Sequence, residues 1–338
     1  MPDIYFEDFV VGSTATYGKK TLLKDEMIAF AREFDSQPFH IDEEAAKTSF
    51  TGGLIASGWY VASLHMRMMC DDFLLNSSGM GAPGIEELKW LKPVRAGDTL
   101  TARRQVLASQ ASATRPDQGR VQLAFALQNQ HGETVLEMTN WIMFGTRSKS
   151  GAGTVKSASR PKDTGAPASV ALPSGRCIAS LQSCDRFAPG DWFDLGNVTF
   201  TEADIIRFAK AFDNQPFHID PVAAVTGPYG GIIASGWHTA SAWMGRMAMA
   251  RETLRKACAQ LGERPAEIGP SPGFTNLKWL RPVRPGDVLT YRSEIVESRP
   301  SASRPGWGIV RHFNTGDDQF GRRVFEFSGS AFWEHRQT

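Results

Sequence analysis

The stretch Phe34-Asp35-Ser36-Gln37-Pro38-Phe39-His40-Ile41-Asp42 returns as Phe212-Asp213-Asn214-Gln215-Pro216-Phe217-His218-Ile219-Asp220, displaced by 178 positions (213 − 35). A second block keeps the same offset: Gly53-Leu54-Ile55-Ala56-Ser57-Gly58-Trp59 matches Gly231-Ile232-Ile233-Ala234-Ser235-Gly236-Trp237. Self-similarity at a fixed displacement marks a tandem duplication. Further on, Trp90 matches Trp279, Asp98 matches Asp287 and Gly132 matches Gly321, all at an offset of 189, so the second copy has gained eleven residues (189 − 178). Gly262, Pro265, Gly269 and Pro270 place that gain in a loop around Ala257 to Pro272. Residues 1–147 and 176–338 are read as the two domains. Residues 148–175, rich in Ser, Gly, Ala, Pro and Lys and without an aromatic, are read as the linker.

Within a copy the patterns run from helix to strands. Met27, Ile28, Phe30, Ala31 and Phe34 have helical spacing over Asp25 to Phe34, and Ile205, Ile206, Phe208, Ala209 and Phe212 repeat it, with Thr201 as N-cap before Glu202 and Asp204. Each short helix should stop before the Gln-Pro pair, because a residue preceding proline is driven out of the helical region. The Asp and His then sit at a helix end and turn, and Asp42 and Asp220 read as caps of the next short helix. From Gly53 to about Phe73, and in the second copy through Met249, apolar residues fall on nearly every side, which predicts a helix buried all round. Leu88 to Val94, Thr99 to Ser109, Val121 to Gln128 and Val135 to Phe144 alternate as strands. The expected fold class is α+β: two repeats, each an antiparallel sheet wrapped around one long central helix.

The 37 basic and 36 acidic residues nearly cancel, which removes the electrostatic footprint expected of a nucleic-acid or anionic-membrane binder. Small molecules and further copies of the chain are the expected partners. No apolar run reaches the roughly 18 residues of a membrane span, and Met1 to Gly18 is too polar for a signal peptide, so the expectation is a soluble, cytoplasmic protein. Cys70, Cys177, Cys184 and Cys258 lie outside the repeated blocks with no two-residue spacing and read as free thiols.

Asp35 with His40, and Asp213 with His218, are the candidate acid–imidazole pairs. Taken alone, such a pair serves equally as turn chemistry, and duplication inside one chain does not separate the two roles. The first turn of the buried helix carries Gly58 and Gly236, where a missing side chain leaves backbone N–H groups accessible at the positive end of the dipole; close approach of another segment is the competing reason for glycine there. An acid, an imidazole and such a donor are what addition of water to an enoyl thioester needs. Ser57 and Ser235 lack a nucleophile elbow and read as polar lining or helix start, and are placed with Trp59 and Trp237 as candidate substrate contacts. One His with nearby carboxylates falls short of a metal-ligand set, so neither metal nor cofactor is expected.

The repeated motif resembles that of the MaoC-like, R-specific enoyl-CoA hydratase family, Asp-x-Asn-Pro-x-His-x-Asp followed by a Phe-x-x-x-Ile-x-x-Gly stretch, over nearly all of the chain outside the linker. The resemblance implies a double hotdog whose two halves pair side by side. Asp35, His40, Asp213 and His218 fall on the family's catalytic pair, and Gly58 and Gly236 on its oxyanion glycine. It also implies an acyl-CoA substrate, or an acyl carrier protein as thioester carrier, and association into a dimer of double hotdogs. The chain departs from the pattern at Gln37 and Gln215, where the family has Asn, and at Ser57 and Ser235, where better-known members have His. Both halves keep the catalytic pair, so two competent sites are expected. Acyl-thioester hydrolysis and a non-catalytic acyl-thioester-binding subunit are the alternatives. His238 stands where the first copy has Tyr60, which predicts that the two pockets differ in preference.

Overall fold

The computed structural model describes residues 2–147 and 172–336. Residues 148–171 of the expected linker lie outside the described residues. In the first repeat, β1 (Thr14–Thr21) leads into α1 (Lys24–Phe34), two short helices α2 (Pro38–Ile41) and α3 (Glu43–Lys47), then the central helix α4 (Gly58–Met69). Four strands follow with a break for β2: β2 (Gly84–Trp90), β3 (Thr99–Ala111), β4 (Gln118–Gln128) and β5 (Thr134–Gly145). The second repeat copies the order as β6 (Trp192–Thr199), α5 (Glu202–Phe212), α6 (Pro216–Ile219), α7 (Pro221–Thr226), α8 (Gly236–Gln260), β7 (Gly273–Trp279), β8 (Val288–Pro300), β9 (Trp307–Asp317) and β10 (Arg323–Glu334).

All ten strands form one antiparallel sheet, ordered β1-β3-β4-β5-β2-β7-β10-β9-β8-β6. The second half of that order mirrors the first, so the repeats join edge to edge through β2 and β7, with Ile85 opposite Leu277 and Leu88 opposite Phe274. Backbones come close at this seam: a Cβ added to Gly84 would lie 2.0 Å from the Leu277 carbonyl oxygen, and one on Gly273 2.1 Å from that of Leu88. Only glycine fits there. Closing the edge strands of the two repeats against one another also removes two unpaired edges.

The sheet curls over α4 and α8, which pack against each other. Ten residues of α4, from Trp59 to Met69 apart from Arg67, are buried, as a helix enclosed by its own sheet and its twin requires. Leu88, Leu100, Leu123 and Leu127 close the first half of the core and Leu289, Tyr291 and Phe325 the second, each fully buried.

Three sequence readings are corrected. A strand precedes the helix in each repeat: β1, Thr-Ala-Thr-Tyr-Gly-Lys-Lys-Thr, buries only Tyr17 and so carries no alternation to read. The strand expected over Leu88 to Val94 ends at Trp90 and begins at Gly84. The eleven-residue gain is largely helix. Beyond Met249, which is 55% exposed, α8 continues to Gln260 because Glu252, Leu254, Arg255, Lys256 and Ala257 are strong helix formers that need no burial; only the residues after it form the loop.

Candidate active site

Asp35 caps the C-terminal end of α1, and Asp213 that of α5, with matching backbone angles (φ −162°, ψ 62° and φ −152°, ψ 67°). Pro38 and Pro216 stand at the first position of α2 and α6, holding Gln37 and Gln215 extended and ending the preceding helix. One turn later His40 and His218 point back at the acids, with Nε2 3.3 Å from Oδ2 of Asp35 and of Asp213 respectively. The other ring nitrogen is fixed by the chain just before the central helix: Nδ1 of His40 lies 2.9 Å from the Ile55 carbonyl oxygen, and that of His218 2.8 Å from Ile233. A carbonyl only accepts, so Nδ1 carries a hydrogen and Nε2 is the nitrogen left to exchange a proton beside the carboxylate.

Each carboxylate is held from two more sides. Ser57 Oγ donates to Asp35 Oδ2 at 2.7 Å and Ser235 Oγ to Asp213 Oδ2 at 2.6 Å, while each serine also accepts from the N–H of Trp59 or Trp237 as N-cap of the central helix. Gln37 Nε2 donates to Asp35 Oδ1, and Gln215 Nε2 to Asp213 Oδ1, both at 2.8 Å. Glutamine in place of the family's asparagine therefore reaches the acid itself. Burial pushes Asp35 and Asp213 up, but the adjacent imidazole and the bonds from His, Ser and Gln outweigh it and hold both below the ordinary carboxylate value. Asp42 and Asp220 are the caps that the sequence predicts, each accepting from two N–H groups of the next helix.

Gly58 and Gly236 are the first residues of α4 and α8, so their N–H groups have no acceptor inside the helix. The competing reason for glycine is present as well. A Cβ on Gly58 would lie 2.4 Å from the Trp90 ring, and one on Gly236 2.3 Å from Trp279; the indole N–H groups of these tryptophans donate to the carbonyls of the same glycines at 3.1 and 2.9 Å.

A cavity of about 360 Å³ opens onto Asp35, His40 and Gly58, and one of about 320 Å³ onto Asp213, His218 and Gly236. Trp59 lines the first and Trp237 the second. Ser57 and Ser235 line neither: they are fully buried behind the acids and position them, which corrects their placement as substrate contacts. Tyr60 and His238 also lie outside both cavities, Tyr60 donating to Glu26 and His238 stacked on Phe208 at 4.6 Å. The two pockets do differ, but not through this pair.

Each cavity takes its acid and imidazole from one repeat and its far wall from the other. The second repeat supplies Trp243, Arg251, His312 and Phe327 to the first cavity; the first supplies Met66, Met69, Met138, Ile142 and Met143 to the second. Trp243 and Met66 are among the residues that the sequence offers as possible tunnel lining, whereas Arg251, His312, Phe327 and the remaining wall residues were missed because they fall outside the shared blocks, and no local pattern connects position 251 to position 37.

A family model described as MaoC like domain matches residues 10–124 and again 186–306. The chain belongs to this MaoC-like family. An (R)-specific enoyl-CoA hydratase of Rhodospirillum rubrum is 33% identical over 105 residues, 29% of this chain and 66% of that protein. The Klebsiella aerogenes protein MaoC is 31% identical over 130 residues, but the chain spans only 35% of its length. The crystal structure of a putative MaoC domain dehydratase from Chloroflexus aurantiacus superposes over 99% of both chains with a TM-score of 0.75 at 17% identity, which makes the shared architecture a matter of fold. A conserved hypothetical protein of Mycobacterium tuberculosis, described as a double hotdog, matches over 97% of this chain with a TM-score of 0.68. The MaoC-like chain is thus a double hotdog with two acid–imidazole sites at the join of its halves. Among the described residues no helix is long and apolar enough to cross a membrane.

Proposed function

We propose that the protein is a hydratase/dehydratase interconverting a trans-2-enoyl thioester and its (R)-3-hydroxyacyl thioester at both sites, with coenzyme A as the thioester carrier. The observation that carries this reading is the buried Asp–His pair, duplicated with the same partners at the same distances, opening onto a cavity beside a helix N-terminus. In the first site Asp35 and His40 Nε2 hold a water between them. As the water oxygen bonds to C3, its proton passes to this pair and the C2–C3 π electrons move toward the thioester carbonyl. The Gly58 N–H stabilises the resulting enolate oxygen, and the pair returns a proton to C2. Asp213, His218 and Gly236 do the same in the second site. The family membership and the Rhodospirillum relative support the reaction class.

The test is the loss of enoyl-thioester absorbance on mixing with crotonyl-CoA. Asp35→Asn and Asp213→Asn should each leave one working site, and the double variant none. Release of free thiol without loss of the double bond would replace hydration by hydrolysis; full loss of activity in either single variant would mean one working site.

A further inference from the structure

The two sites share Asp, His, Ser, Gln and Gly with bond lengths that agree to 0.1 Å, so whatever one has and the other lacks is an addition to the common machinery. The first has a guanidinium. Arg251, on the extended part of α8, lines the first cavity, and its Nη1 donates to Gln37 Oε1 at 2.9 Å. Among the described residues it forms no ion pair with a carboxylate; its Nε is buried without an acceptor, the Trp333 ring lies 5.6 Å away, and its charge is felt by His312 of the same cavity. Burial pulls the group down to about 10, with Asp35 countering, so it is charged at neutral pH. A charge held in a cavity with donors unspent is placed for an anion. The second site has no counterpart at that depth: the guanidinium that lines its cavity, Arg281, is exposed and matches the equally exposed Lys92 of the first cavity at the offset of 189. The position 178 residues earlier is Phe73, packed in the core, and the Asp213 carboxylate meets Cys70 Sγ at 3.6 Å instead. The methionines of the second cavity offer an apolar, adaptable wall.

We propose that Arg251 makes the first cavity a site for enoyl thioesters whose acyl chain carries a carboxylate, while the second cavity takes uncharged chains. The proposal rests on the hydratase reading above. The chain length follows from the relay: Arg251 is one hydrogen bond from Gln37, and Gln37 one from Asp35. A carboxylate about one or two carbons beyond the double bond reaches the guanidinium while C3 stays at the acid, each hydrogen bond spanning about 3 Å. Arg251 is then a specificity residue, and its link to Gln37 fixes the guanidinium in line with the acid.

The experiment compares trans-glutaconyl-CoA with trans-2-pentenoyl-CoA, of equal chain length, in Asp213→Asn (first site only) and Asp35→Asn (second site only). The first-site enzyme should favour the carboxylate substrate by tenfold or more in kcat/KM, and the second-site enzyme should favour the neutral one. Adding Arg251→Met to Asp213→Asn should cut glutaconyl-CoA turnover by about 100-fold, the loss expected for a desolvated charge pair, and pentenoyl-CoA turnover by less than threefold, with Arg251→Lys in between. Equal loss on both substrates would overturn the proposal and leave Arg251 as a support for Gln37 and Asp35. Calorimetric binding of the unreactive glutaryl-CoA and pentanoyl-CoA separates this from the hydratase reading. Glutaryl-CoA should bind more tightly, an advantage that Arg251→Met removes even if nothing turns over. Equal affinity for the two would refute the anion site by itself.

Discussion

Gly58→Ala tests whether glycine at the head of the central helix is required by packing. The added Cβ would lie 2.4, 2.7 and 2.8 Å from Cε2, Nε1 and Cζ2 of Trp90, so the indole must move by about 1 Å to restore ordinary contact. It has little room: Trp59 and Phe274 pack edge-on to it, with centroids 5.6 and 5.7 Å away. Overpacking of this kind costs about 1–3 kcal/mol, and shifting the ring breaks the bond from Nε1 to the Gly58 carbonyl, worth about 1 kcal/mol. The alanine returns less than about 1 kcal/mol in helix propensity. A net loss of about 1–3 kcal/mol follows, to be read from guanidinium denaturation followed by circular dichroism and tryptophan fluorescence. In a cycle with Trp90→Leu, which vacates the space, Gly58→Ala should cost about 2 kcal/mol less than it does alone. A coupling energy near zero would refute the steric argument and leave the glycine to the N–H role alone.

Ser57→Ala removes both a bond to Asp35 and the N-cap of α4. With the charged bond worth about 1.5–3 kcal/mol and the cap about 1 kcal/mol, the protein should lose about 2–4 kcal/mol. The Asp35 carboxyl should rise toward its ordinary value, moving the acid limb of the kcat/KM profile of Asp213→Asn enzyme to higher pH; an unmoved limb would mean that the serine does not act on the acid. Acid should also unfold the protein through histidines outside the pairs. Burial pulls His65 and His238 down to about 3 and His312 to about 4. The unfolded chain takes up a proton on each near 6.5 while the folded one does not, so their stability contribution is full above 6.5 and lost as pH falls toward 4, at about 1.4 kcal/mol per pH unit for each. His238→Phe, within a ring of Phe34, Phe200 and Phe208, should flatten that slope by one such increment between pH 6 and 4; an unchanged slope would contradict it.

Much of the site is legible in the sequence because it is local. Asp35, Pro38 and His40 lie within six residues, and a proline, a helix end and one turn bring acid and imidazole together whatever surrounds them. The first helix of each repeat was equally readable from spacing, whereas the central helix begins at Gly58 and not at Gly53, because the apolar run Leu54-Ile55-Ala56 before its Ser57 cap looks the same in sequence as the helix itself. The edge strands β1 and β6 were not readable: β1 buries only Tyr17, and β6 buries Trp192, Phe193 and Leu195, two of them adjacent, so neither shows a clean period of two. The serines were misplaced for a related reason: sequence shows a polar residue at a helix start, but not which way its hydroxyl turns.

Duplication, the acid–imidazole pair and the buried helix were determined by sequence alone, the first because it needs only a comparison of blocks at a fixed offset, the other two because each depends on neighbours within a few turns of chain. The makeup of the two cavities was decided only by tertiary structure. Pairing β2 with β7 sets α8 against α1, and that contact carries Arg251 to Gln37 across 214 positions while leaving methionines over Asp213. Two sites with the same motif thus acquire different walls, because the side chains that complete each one belong to the other repeat.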